Sequence, residues 1–84
     1  MDGLIKNIKN AILTATSNFN NADSAELYNS AKADKYYEEG EINKNNAFNL
    51  LDKLKSEIDK LEDGETKDKY LKEYNELLYK ADCI

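Results

Sequence analysis

The clearest hydrophobic pattern in the chain runs from Ala47 to Leu61. There Ala47, Leu51, Leu54, Ile58 and Leu61 follow one another at four-three-four-three spacing, an interval that keeps one apolar seam of a helix facing a partner. Phe48 and Leu50 widen the seam at its start, while Asp52, Lys53, Lys55, Glu57, Asp59 and Lys60 fall outside it. Asn43 is the candidate N-cap of this stretch.

Three further stretches carry weaker versions of the same period. From about Leu4 to Asn18, Leu4, Ile8 and Ile12 recur every four residues, with Ile5, Ala11, Ala15 and Phe19 beside them and Asp2 as candidate N-cap. A second stretch starts at Asp23 or Ser24, where Asp23 and Glu26 have the spacing of a capping box. Its apolar side is Leu27, Tyr28, Ala31, Ala33, Tyr36 and Tyr37, thin and rich in alanine, which lets a neighbouring helix approach closely. The last runs from about Thr66 to Ala81 and carries Tyr70, Leu71, Tyr74, Leu77, Leu78 and Ala81. On its outer side Glu76 and Lys80 are spaced for a favourable ion pair.

Breaks are expected at Asn18 to Asp23, at Gly40, and at Glu62-Asp63-Gly64-Glu65, with Gly40 and Gly64 placed where helices should stop. Short connections favour antiparallel neighbours. The pattern therefore predicts a single all-α domain over residues 1–84, a compact antiparallel three- or four-helix bundle. No internal repeat of solenoid length is evident.

Composition narrows the chemistry sharply. The 84 residues contain no His, Arg, Trp or Pro and one Cys, Cys83. Cys83 has no histidine to activate it, so the expected thiol is an ordinary one near the chain end. The carboxylates are spread among lysines on the polar faces, whereas general acid–base work needs two held in a cleft. The glycines are too far apart for a phosphate loop. The segment Asp59-Lys60-Leu61-Glu62-Asp63-Gly64 has the look of an EF-hand start, but Leu61 stands at the third ligand position and Tyr70 where a bidentate Glu is needed. The expectation is a protein that is not an enzyme and takes no metal or other cofactor. No apolar run approaches a membrane span, and the early Asp2 and broken apolar start do not form a secretory signal. A cytoplasmic location is the expectation.

Charge supplies the one surface signal. Seventeen acids against twelve lysines give a net charge of −5, which opposes direct binding to nucleic acid or anionic lipid. Residues 1–22 hold one acid and two lysines, net +1, but residues 23–42 hold six acids and two lysines, net −4. Within that acidic quarter stand Asp34, Tyr36, Tyr37, Glu38, Glu39 and Glu41, the candidate partner-binding residues. Adjacent tyrosines on a helix point about 100° apart, so one ring is expected to be partly exposed among carboxylates. Tyr offers a large apolar face at low entropic cost, which suits an interface anchor. The expected partner is a protein with a basic surface. Should this patch be only a solvated helix end, the next candidates are Lys72, Glu73 and Glu76, or Tyr79 and Cys83.

The segment Tyr36-Tyr37-Glu38-Glu39-Gly40-Glu41-Ile42, followed by Ala47, resembles the turn between helices of tetratricopeptide and microtubule-interacting-and-transport modules, with Asn45 where the tetratricopeptide Ala would stand. The layout of four short amphipathic helices is similar to small bacteriocin immunity proteins in length and helix count. The first resemblance implies a helical interaction module and the second a toxin-binding protein. The small acidic form and lysine-only basic set fit a phage or mobile-element inhibitor, anti-CRISPR-like, that covers a basic surface of a host nucleic-acid-handling protein.

Overall fold

A computed structural model describes residues 1–84 as three helices and no strand: α1 (Asp2–Ala25), α2 (Ser30–Asp59) and α3 (Glu65–Asp82). The seam read from the third stretch is the heart of the core. Ala47, Leu51, Leu54 and Ile58 are buried together with Ile5, Ile8 and Ile12 of α1 and Leu77 and Ala81 of α3. Leu4, Ala11, Phe48, Leu50, Tyr70, Leu71, Tyr74 and Leu78 pack around them, half-buried. Burying such side chains contributes about 1.5–3 kcal/mol each, so this end of the molecule supplies most of the hydrophobic stabilisation.

Two of the expected breaks are absent. The Asn18–Asp23 segment continues α1, and Gly40 lies in the middle of α2. Asn costs a helix only a few tenths of a kcal/mol over Ala. Here that cost is offset because Ala15, Ala22 and Ala25 are completely buried against α2. Gly40 is a contact and not a stop: a Cβ built on it would lie 2.9 Å from both Cε1 and Cζ of Phe19. The chain turns instead at Glu26–Asn29. Asn29 adopts an extended conformation, and its side chain accepts a hydrogen bond from the Lys32 backbone N–H at 3.1 Å, capping α2. Asp23 and Asn43 are therefore not N-caps, and α1 is preceded by Met1 with no side-chain cap. Leu27 and Tyr28 lie in the turn, 88% and 74% exposed, and not on the apolar side of a helix. The expected break near Gly64 is present, with Gly64 at a φ of +156° in the N-cap position just before α3.

The molecule is a rod of 53 × 17 × 15 Å. The helices run antiparallel in sequence order, and α3 covers only one end of the α1–α2 hairpin. Tyr70 Oη donates to Asp2 at 3.2 Å at one end of α3, and Lys44 Nζ donates to the Ile84 carbonyl at 3.2 Å at the other. Beyond Lys44 the chain has two helices and no third. This arm, the second half of α1 with the first half of α2, extends for about 20 Å. α3 lies mainly on α2 and only grazes α1, leaving a groove between α1 and α3. Glu76 and Lys80 do not form the expected ion pair; Lys9 reaches Glu73 at 3.8 Å instead.

Candidate protein-binding site

The arm is closed by small residues. Ala15, Ala22 and Ala25 of α1 and Ala33 and Gly40 of α2 are all buried along it. Such a seam brings the two backbones close and leaves larger side chains on its flanks. Phe19 lies over Gly40 and meets the Tyr37 ring at a centroid distance of 6.1 Å and an angle of 48°, within the range of favourable aromatic pairs. Tyr37 Oη donates to Asp23 Oδ1 at 2.9 Å, tying α2 back to the last turn of α1. Another polar tie crosses the seam nearby: Asn43 Nδ2 donates to Asn18 Oδ1 at 2.9 Å and to the Glu39 carbonyl at 3.1 Å.

The six expected site residues divide into two sets. Asp34, Glu38 and Glu41 are exposed. At intervals of four and three they form one stripe on α2, and none of them is in an ion pair. Tyr36, Tyr37 and Glu39 are half-buried. The tyrosines diverge by about 100° and flank the Ala33–Gly40 line, so both rings are partly exposed along its edges, with Tyr37 beside the Asp23 carboxylate. Lys32 Nζ lies 5.9 Å from the Tyr36 ring centroid, a cation–π distance. Glu39 receives a long 3.5 Å hydrogen bond from Asn18 Nδ2. The arm thus keeps its acids outward and uses its aromatics to hold itself together.

Tyr37 bears the electrostatic imprint of that arrangement. Its hydrogen bond to Asp23, together with desolvation and the nearby Glu26, pushes the phenol pKa up to about 12. Each of these causes favours the neutral phenol, so the folded state holds the proton more tightly than the unfolded chain. Stability from this contact is fully present below the ordinary Tyr pKa, near 10, and is lost as pH rises through about 12. Ultraviolet titration of Asp23→Asn should show one tyrosine returning towards ordinary behaviour. A titration identical to that of the unaltered protein would mean that the contact does not form in solution.

The remaining candidate chemistry is dispersed. Asp59 faces Lys55 at 2.8 Å and Asp63 faces Lys67 at 3.4 Å, so the acids of the EF-hand-like segment turn to lysines and do not converge. No three carboxylate or thiol side chains are grouped to hold a metal ion. Cys83 is exposed at the end of α3. No helix is long and apolar enough to cross a membrane. The exposed tip, Leu27 and Tyr28, had no place among the sequence candidates. The Asn29-Ser30 pair, a good start for a helix with Asn as cap, was the signal for it. Compared with protein-family models, curated proteins and solved structures, the chain matches none.

Proposed function

We propose that the protein is a non-enzymatic binding module whose acidic arm covers a basic surface of a protein partner. The observation that carries this reading is the exposed Asp34–Glu38–Glu41 stripe on an arm that projects past the three-helix end. A narrow rod with a net charge of −4 over residues 23–42 can enter a cationic cleft where a globular domain would stop at the rim. Its field reaches about 8 Å at physiological salt, enough to steer the encounter. A cleft lined by lysine and arginine is the feature nucleic-acid-handling proteins use to hold phosphates. Occupying it would inhibit them, and a phage or mobile-element inhibitor of a nuclease or CRISPR effector fits this description. Gly40 makes no turn, so the tetratricopeptide-like resemblance loses its basis. The chain likewise has two long helices and one shorter one, not the four short helices of the immunity-protein layout.

Paired affinity capture from host extract tests this reading, with the unaltered protein and the Asp34→Lys, Glu38→Lys, Glu41→Lys triple variant as baits. The triple change takes residues 23–42 from −4 to +2 without touching a buried side chain, and circular dichroism should stay helical. Proteins with a nucleic-acid-binding cleft should be enriched on the unaltered bait, fall at least about ten-fold on the variant, and be displaced by added DNA or RNA. Equal capture on both baits, or capture insensitive to nucleic acid, would sink the idea.

A further inference from the structure

The groove between α1 and α3 differs in character from the rest of this acidic chain. Near the middle of the rod it is lined by Lys9, Ile12, Leu13, Leu77 and Lys80, so its only charges are cationic. It continues towards the arm past Thr16, Phe19 and Asn20 of α1, beside Tyr79 and Ile84. Leu13 is 65% exposed and Tyr79 72%. Lys80 has no carboxylate within ion-pair distance, and Lys9 has only Glu73 at 3.8 Å.

The α1 edge of this groove has a symmetric pattern. Leu13, Thr16, Asn20 and Ser24 share one face of α1, and Leu27 in the turn that follows continues their spacing, at intervals of three, four, four and three residues. The helical path persists to Leu27, because Glu26 N–H bonds to the Ala22 carbonyl and Tyr28 N–H to that of Ala25. Read in either direction the stripe is leucine, small hydroxyl, Asn, small hydroxyl, leucine. All five residues are exposed. An isologous contact needs such a surface, since two-fold symmetry places each residue opposite its counterpart in the reversed order.

We propose that two copies of the chain associate along this stripe as an antiparallel two-fold dimer, with Asn20 at the axis and Leu27 of each copy seated by Leu13 of the other. Charge complementarity selects a second copy as the occupant. The tip that carries Leu27 and Tyr28 also carries Asp23 and Glu26, and the pairing brings those carboxylates to the groove end rimmed by Lys9 and Lys80. Thr16 and Ser24 are small enough to let the two α1 helices reach the 8–10 Å of ordinary helix packing. The second copy's arm then lies where α3 leaves α1 uncovered. The acidic stripe on α2 takes no part in this contact, so the dimer stands or falls independently of the proposed partner.

Sedimentation equilibrium under reducing conditions over a range of protein concentrations tests the dimer. The unaltered chain should approach twice the monomer mass. Leu13→Glu and Leu27→Glu, both at exposed positions and thus compatible with the fold, should each raise the dissociation constant at least about ten-fold. Asn20→Cys with Cys83→Ser should form a disulfide-linked dimer on mild oxidation, because residues on the axis meet their own copies. Asn46→Cys with Cys83→Ser, exposed on α2, should not. A chain that stays monomeric up to about 1 mM overturns the proposal. So does a dimer unchanged by both leucine variants, or equal cross-linking at positions 20 and 46.

Discussion

Leu54→Ala should destabilise the protein by about 2–5 kcal/mol. Leu54 is fully buried, one of only four large side chains in that state, with Ile8, Leu51 and Ile58. It belongs to the one buried cluster to which all three helices contribute, with Ile5, Ile8 and Ile12 of α1 and Leu77 and Ala81 of α3. Truncation removes the transfer free energy of the lost atoms and leaves a cavity that three helices cannot all close at once. A chain of this length has a total stability of roughly 4–12 kcal/mol, so the loss should move the urea midpoint strongly at unchanged slope. Leu61→Ala is the internal control. Leu61 ends the same sequence seam but is only half-buried, so its removal should cost less than about 1.5 kcal/mol. Equal losses at the two positions would mean that Leu54 is packed no more deeply than Leu61, which lies just past the end of α2.

That seam was legible because every signal in it is local. Ala47, Leu51, Leu54 and Ile58 hold one face by spacing alone, and the polar residues between them agree. The same is true of α3, whose observed bounds, Glu65–Asp82, differ by one residue at each end from the expected Thr66 to Ala81. The arm was not legible in the same way. Its Asn-rich stretch and Gly40 are poor helix formers, and each signals an ending when weighed by neighbours alone. What keeps them helical is contact between residues twenty or so apart in sequence, Phe19 on Gly40 and Ala22 on α2, which no local pattern reports. The expectation that the second stretch packs through alanine held for Ala33, which is buried, and not for Ala31, which is exposed. Part of the partner surface, Phe19 and Ala22, lay in the Asn18–Asp23 segment expected to be a break. The candidate site was legible in part. Its acids were placed on an exposed face correctly in Asp34, Glu38 and Glu41. One of its tyrosine rings was expected to be partly exposed, and both are, since Tyr36 and Tyr37 are each half-buried. A seam of Ala and Gly is shallow, and both rings can lie along its flanks.

Gly40→Val should test that close approach directly, with a loss of about 1–3 kcal/mol from overpacking. The Phe19 ring occupies the space a Cβ would take, at 2.9 Å from two ring carbons, and valine adds two further methyl groups stiff at χ1. Gly40→Ala is the milder change. Its helix propensity gains up to about 1 kcal/mol over Gly, and the half-buried Phe19 ring can swing aside, so the two effects should nearly cancel. Valine leaves no such escape: the ring must leave Tyr37 or the arm helices must part. The decisive measurement is the same substitution in a Phe19→Ala background. With the ring gone, Gly40→Val should cost much less, and the coupling between the two sites should reach about 0.5–3 kcal/mol. The buried cluster at the three-helix end lies outside this contact, so the loss should fall on the arm. Hydrogen exchange should then show faster opening of α1 and α2 between Phe19 and Gly40 while the amides around Leu54 keep their protection. Strict additivity of the two substitutions would show that Phe19 does not rest on Gly40, and that the glycine serves α2 in some way other than admitting the aromatic ring of α1.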